Sequence, residues 1–154
     1  MRREDALKAA YLFNFTKFVD WPGKSDDTVL TLCFVGGVGV REALANNLAS
    51  KKIGNHPVNV REVANPYEDS DCSLLYVSAA STPRPEVRAP STRTPVLTVS
   101  DANGFAHSGG IIELFTEGNR LRFIVNMGNA RRAGIRVSSA LLQLASVVEK
   151  DDEQ

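Results

Sequence analysis

Helices alternating with short apolar strands place this chain in the α/β class. The sequence predicts a single domain with a mainly parallel sheet, a C-terminal antiparallel hairpin and helices on both faces. Three observations lead there. Helical stretches separate runs such as TVLTLCFVG and CSLLYVS, which are apolar almost throughout, the profile of strands buried on both faces. The runs IIELFT and RLRFIVN sit either side of Glu117-Gly118-Asn119, a hairpin signal. Finally, 154 residues suffice for one sound core, and no internal repeat, low-complexity tract or linker divides residues 1–154.

The first element, EDALKAAYLFNFTKFVDWP, reads as an amphipathic helix that Asp5 can cap and Pro22 stops. Leu7, Tyr11, Phe15 and Phe18 follow helical spacing, with Leu12, Phe13 and Val19 widening the apolar face, which is expected to pack onto the sheet, the alternative being a partner-binding helix. A buried strand, TVLTLCFVG, comes next, then a helix, REALANNLASKKIGN, with Gly54 near its end. PVNVREV alternates like a strand, and CSLLYVS is another buried one. Four prolines make STPRPEVRAPSTRTP a loop before PVLTVSD returns to strand. After the hairpin, Ala133, Val137, Leu141, Leu144 and Val148 fall on one face of a helical pattern. Gly134 and Ser138 offer an alternative there: a short turn, then a second helix capped by the serine.

Lys+Arg and Asp+Glu both number 18, so no global charge steers the chain toward nucleic acid or anionic lipid. Arg61, Arg84, Arg88 and Arg93 are scattered without interleaved aromatics, which argues against a nucleic-acid surface. No apolar run approaches the roughly 20 residues that span a bilayer, and MRREDALK lacks the apolar region of a signal peptide. Two isolated histidines and two separated cysteines do not make a metal site.

Catalytic motifs are equally thin. VGGVGV lacks the third glycine of a dinucleotide fingerprint, and Arg41-Glu42 stands where a phosphate-binding lysine would be needed, so a tight strand–helix turn outweighs a ligand loop. Ser100-Asp101 follows a strand, but only His107 is near enough in sequence to act as base, and no nucleophile elbow surrounds the serine. His56, beside Pro57, reads as solvent-facing. Cys33 and Cys72 are compatible with free thiols or with one disulfide.

One pair of residues invites a functional reading. FIVNMGNARRAGIRVSSALLQLA turns from strand to helix through Arg131-Arg132, at a helix start where the backbone favours anions over cations. Adjacent helical residues point about 100° apart. One arginine is therefore expected to pair inward with Asp101 or Glu113, while the other faces solvent or an anionic ligand.

Taken together, ALKAAYLFNFTKFVDWP, LCFVGG, CSLLYVS, PVLTVSDANGFAHSGGIIEL and NRLRFIVNMGNARRAGIRVSSALLQLA resemble the YfiR-like proteins of Gram-negative bacteria. The likeness runs in order over nearly the whole chain and is weakest from Ser81 to Pro95. It implies a small periplasmic α/β protein, typically a homodimer, with no catalytic activity, cofactor, metal, nucleic-acid partner or membrane insertion. Such proteins restrain an inner-membrane diguanylate cyclase through its periplasmic part, lowering cyclic-di-GMP and limiting exopolysaccharide and biofilm. Some relatives respond to periplasmic redox state through disulfides. Cys33 and Cys72 match a family cysteine pair, so the resemblance implies a bond between them. The second pair of some relatives, around GFAHSGGIIEL, has no cysteines here. Asn126, Arg131 and Arg132 match the family's strand-to-helix motif and, with Asp101, are the candidate ligand- or partner-binding residues. The alternative is a small-ligand module, for a nucleotide or another anion, with a different output.

Overall fold

The computed structural model describes residues 3–21, 28–47, 56–63, 72–79 and 95–149. Its elements run α1 (Arg3–Lys17), β1 (Val19–Asp20), β2 (Leu30–Val35), α2 (Val38–Asn47), β3 (Val58–Glu62), β4 (Leu74–Val77) and β5 (Leu97–Ser100). A one-turn 3₁₀ helix (Phe105–His107) follows, then β6 (Ile112–Glu117), β7 (Arg120–Asn126), α3 (Met127–Arg132), β8 (Arg136–Val137), α4 (Ser139–Leu144) and β9 (Val147–Glu149). The proline-rich segment and the expected end of the second helix at Gly54 lie outside the described residues.

Seven strands form one sheet in the order β3-β2-β4-β5-β6-β7-β9. Only the β6–β7 hairpin is antiparallel; its register is set by the Glu117↔Arg120 pair flanking the Gly118-Asn119 turn. This is the mainly parallel α/β domain that the apolar runs predict. Side chains alternate across it. Leu32, Phe34, Leu74, Tyr76, Leu97 and Val99 join α1 and α2 in the larger cluster, while Cys33, Val35, Leu75 and Val77 face the other side. On that second side the helical cover among the described residues is the 3₁₀ turn, through Phe105.

Polar groups on the buried strands are satisfied locally. The Ser100 hydroxyl donates to the Val77 carbonyl (2.6 Å) and accepts from the Ala102 N–H (2.9 Å), and the Thr98 hydroxyl accepts from the Ile111 N–H (3.0 Å). Trp21 donates its indole N–H to the Ser73 carbonyl (2.8 Å), fastening the end of the first helical segment to the start of β4.

Two sequence expectations change. First, α1 is rotated from the predicted row: its buried residues are Lys8, Ala9, Leu12, Phe15 and Thr16. Phe15 is in the core as expected, whereas Tyr11 and Phe18 are half-buried and Leu7 is 38% exposed. The lysine causes the rotation, because it is drawn inward by a carboxylate beyond the helix. Second, the C-terminal pattern is not one helix. Gly134 (φ 78°) ends α3, a short β8–β1 ribbon intervenes, and Ser138 caps α4 by accepting from the Ala140 N–H (3.0 Å). Val148 accordingly sits on β9, paired with Val125.

Candidate functional site

The β7–α3 junction brings together Asn126, Asn129, Arg131 and Arg132. Asn126 is the N-cap of α3: its side-chain oxygen accepts from the Asn129 N–H (2.9 Å), and its amide donates to the Ala106 carbonyl (2.8 Å). Asn129, buried, donates to the Ala106 (3.1 Å) and Gly110 (2.7 Å) carbonyls and accepts from the Arg132 guanidinium (2.5 Å). From the sheet, Glu113 accepts from the Gly104 (3.2 Å) and Ala106 (3.0 Å) N–H groups. Buried backbone groups without partners are costly, so these three side chains act as clasps on the glycine-flanked 3₁₀ turn.

This arrangement corrects the reading of the arginines. They occupy the last turn of a six-residue helix, where exposed carbonyls favour cations, rather than its first turn. Neither Asp101 nor Glu113 pairs with them; both carboxylates are engaged elsewhere. Both arginines are exposed, and Arg132 is oriented through Asn129. Asn129→Ala is expected to cost about 2–3 kcal/mol, because it leaves the buried Gly110 carbonyl without its donor, and Arg132→Ala about 1 kcal/mol. Urea melts of the two variants check the order. Equal costs would show that Asn129 does not clasp the loop.

Asp101 belongs instead to a cluster at the C-terminal ends of the parallel strands. It accepts from the Lys8 ammonium (2.8 Å) and the Ala79 N–H (2.8 Å), and the Tyr76 hydroxyl hydrogen-bonds to it as well. Glu4, one turn earlier on α1, shares Lys8 (2.8 Å). Burial raises the Asp101 pKa, but the hydrogen bonds from Lys8 and Ala79 outweigh it and leave the carboxyl below its ordinary 3.8. Burial likewise opposes the charge on Lys8, and its bonds to Asp101 and Glu4 reverse the balance, leaving it above 10.5. Tyr76 is pushed strongly upward by burial and by the Asp101 charge, so it stays a neutral donor.

A depressed carboxyl contributes stability above its unfolded pKa and loses it as pH falls through the folded one. A raised ammonium contributes below its unfolded pKa and loses it as pH rises through the folded one. The pair therefore supports the fold between about pH 4 and pH 10. Lys8→Met is expected to cost about 3 kcal/mol at pH 7, since Asp101 keeps two other donors. That cost should shrink in acid, once Asp101 takes up its proton. A pH-independent cost in denaturant melts would refute the ion pair as the cause.

Lys8 and Tyr76 were not candidates from sequence. The signal for Lys8 is its spacing: with Leu12 and Phe15 it marks the buried row, and a cation there needs an acid opposite. Asp5, expected to cap α1, instead lies against the first turn of α2, where a side chain on Gly39 would collide with its carboxylate. An acid suits that helix start. Gly37 (φ 62°) admits the Tyr76 ring, whose edge lies 2.9 Å from where a Cβ would stand. The crevice between β2 and β4, where chain order reverses and doubly wound sheets bind ligands, is thus filled by α1 and Tyr76. Ser100 is fully buried and bonded to backbone, and His107 faces the Glu149 carboxylate (3.4 Å) instead. His56 bonds the Thr28 carbonyl (2.7 Å) and is half-buried.

On the opposite face Cys33, in β2, is joined to Cys72, at the entrance to β4, by a disulfide with Cα atoms 5.8 Å apart. Both residues are buried, at 0% and 3% exposure. Among the described residues no three His, Cys, Asp or Glu side chains group as metal ligands, and no helix is long and apolar enough to cross a membrane.

Comparison with known proteins agrees with this architecture. A crystal structure of a conserved domain protein from Vibrio cholerae O1 biovar El Tor str. N16961 superposes with a TM-score of 0.53 at 10% identity. The match covers 94% of this chain and 60% of that one, a likeness of fold alone. The family model described as YfiR/HmsC-like matches residues 5–146, from the acid against α2 to the serine before β9. The chain belongs to the YfiR/HmsC-like family.

Proposed function

We propose that this chain is a periplasmic regulatory protein that binds the periplasmic part of an inner-membrane diguanylate cyclase and inhibits it. It thereby lowers cyclic-di-GMP and restrains exopolysaccharide production and biofilm. The observation that carries this reading is the family match over residues 5–146. The site chemistry is compatible with it: Ser100, Asp101, Glu113 and Asn126 are each committed to holding the fold together. Both guanidinium-bearing residues of α3 are exposed, which suits recognition of an acidic partner surface. The Cys33–Cys72 bond supplies a structural staple through which thiol chemistry would act. A homodimer is part of the same reading, and light scattering on the purified protein tests it.

Deleting the gene should raise cellular cyclic-di-GMP, and the tagged protein should co-purify with a diguanylate cyclase from a detergent-solubilised envelope fraction. Unchanged cyclic-di-GMP would overturn the proposal. Within it, Arg131 is the recognition arginine and Arg132 the one turned toward the 3₁₀ loop. Arg131→Ala is therefore expected to weaken cyclase repression while the protein remains folded in thermal melts. Full repression by that variant would remove Arg131 from the interface.

A further inference from the structure

A groove runs along the outer side of α1, between that helix and the outer edge of β7. It consists of three depressions of about 530, 380 and 280 Å³. They adjoin, because the first two share Arg3, Leu7 and Leu121, and the last two share Tyr11, Phe123 and Leu144. Its origin is the shortness of β9, which pairs with β7 from Ile124 onward, with the Ser146 N–H reaching the Phe123 carbonyl (2.9 Å), and leaves residues 120–122 without a strand beside them. Tyr11 reaches across to donate to the Leu121 carbonyl (2.8 Å) and forms the floor.

The lips are apolar and in water: Leu7 is 38% exposed and Leu144 66%. The half nearer the start of α1 is cationic, and the last depression is lined by no charged residue. Glu4 is engaged by Lys8 and Glu117 by Arg122 (2.7 Å), so the neighbouring acids are already occupied. Arg3 and Arg120, which both line the middle depression, have no ion-pair partner among the described residues. From Arg3 to Phe15 the groove follows α1 for about 18 Å at the helical rise, a little over three turns.

We propose that this groove docks an amphipathic helix of the partner, with its apolar face at helical spacing along the three depressions and acidic residues over Arg3 and Arg120. Length and charge together favour that occupant. Consecutive depressions along a helix suit side chains repeating at i, i+3/i+4 and i+7, and the residual positive charge beside the first two depressions, absent from the third, sets the direction of the incoming helix. The proposal rests on the functional reading above and names the surface through which the cyclase is held.

The test uses the full-length chain and the cyclase recovered from the solubilised envelope. Leu144→Glu and Arg120→Glu change exposed residues, so both variants should melt like the parent, as should the control Val29→Glu at an exposed apolar residue outside the groove. Each groove variant is expected to bind the cyclase roughly tenfold or more weakly, a hot-spot effect, and the control to bind like the parent. A photocrosslinking phenylalanine in place of Leu144 should form an adduct with a helical cyclase segment. Replacing an acid of that segment by lysine should restore binding of Arg120→Glu. Equal binding by both groove variants, or an adduct with a second copy of this chain, would overturn the groove while leaving the functional reading intact. Failure of the parent itself to hold any cyclase would overturn both.

Discussion

Phe15→Ala is expected to destabilise the protein by about 4 kcal/mol, with a Phe15→Leu variant losing about 1–1.5 kcal/mol. Phe15 is 1% exposed and stands between α1 and the hairpin. Its ring centroid lies 5.0 Å from that of Phe123 and 6.2 Å from that of Tyr11, both in edge-on arrangements, and Tyr11 and Phe123 close the triangle at 6.1 Å. Truncation removes two aromatic contacts and leaves a void the size of a ring. The surrounding strand residues cannot collapse into it, since Leu121, Phe123 and Val125 lie on β7, which is paired along its length with β6, and the outward carbonyls of Leu121 and Phe123 accept from the Tyr11 hydroxyl and the Ser146 N–H. For a chain of this length the loss corresponds to about 8–16 °C in melting temperature. Urea denaturation with an unchanged m-value is the check. A variant that melts like the parent but no longer binds a partner would make α1 an interface rather than a core element.

The sheet was legible because its signal is dense. Parallel strands buried on both faces must be apolar throughout, and each of TLCFVG, LLYV and VLTV contributes a strand at the expected place. The hairpin was legible from its turn residues. What escaped was long-range pairing, which leaves little local trace. The inward turn of Lys8 depends on Asp101, 93 residues away, so periodicity along α1 favoured the row through Tyr11 and missed the one through Lys8. The arginines were misplaced for a related reason. A helix can start only where its cap is, and the cap is Asn126, whose amide also answers to Ala106, a contact invisible to local pattern. Once Asn126 starts the helix and Gly134 ends it, Arg131 and Arg132 fall in its last turn, and their charge is at home.

Replacing the cysteine pair, as Cys33→Ala with Cys72→Ala, is expected to cost about 4 kcal/mol. The bond spans a sequence separation of 39 residues, and the chain-entropy relation for a loop of that size gives a value near 4 kcal/mol at 25 °C. The location supports a loss of that order. The staple ties β2 to the entrance of β4, the two strands flanking the point where chain order reverses, and the segment it closes contains α2 and β3. Without it, the unfolded chain regains that loop's freedom, and the second face of the sheet loses two sulfurs from a small cluster. Burial at 0% and 3% also predicts that reductant reaches the bond slowly in the native protein and quickly in denaturant. Thiol titration of denatured, never-reduced protein should therefore find no free cysteine, while denaturant melts under reducing conditions should shift to a lower midpoint. If two thiols are titrated without reductant, the bond is absent from the mature protein. If reduction leaves the midpoint unchanged, the strands hold this face without the staple, and thiol chemistry at Cys33 and Cys72 has no leverage on the fold.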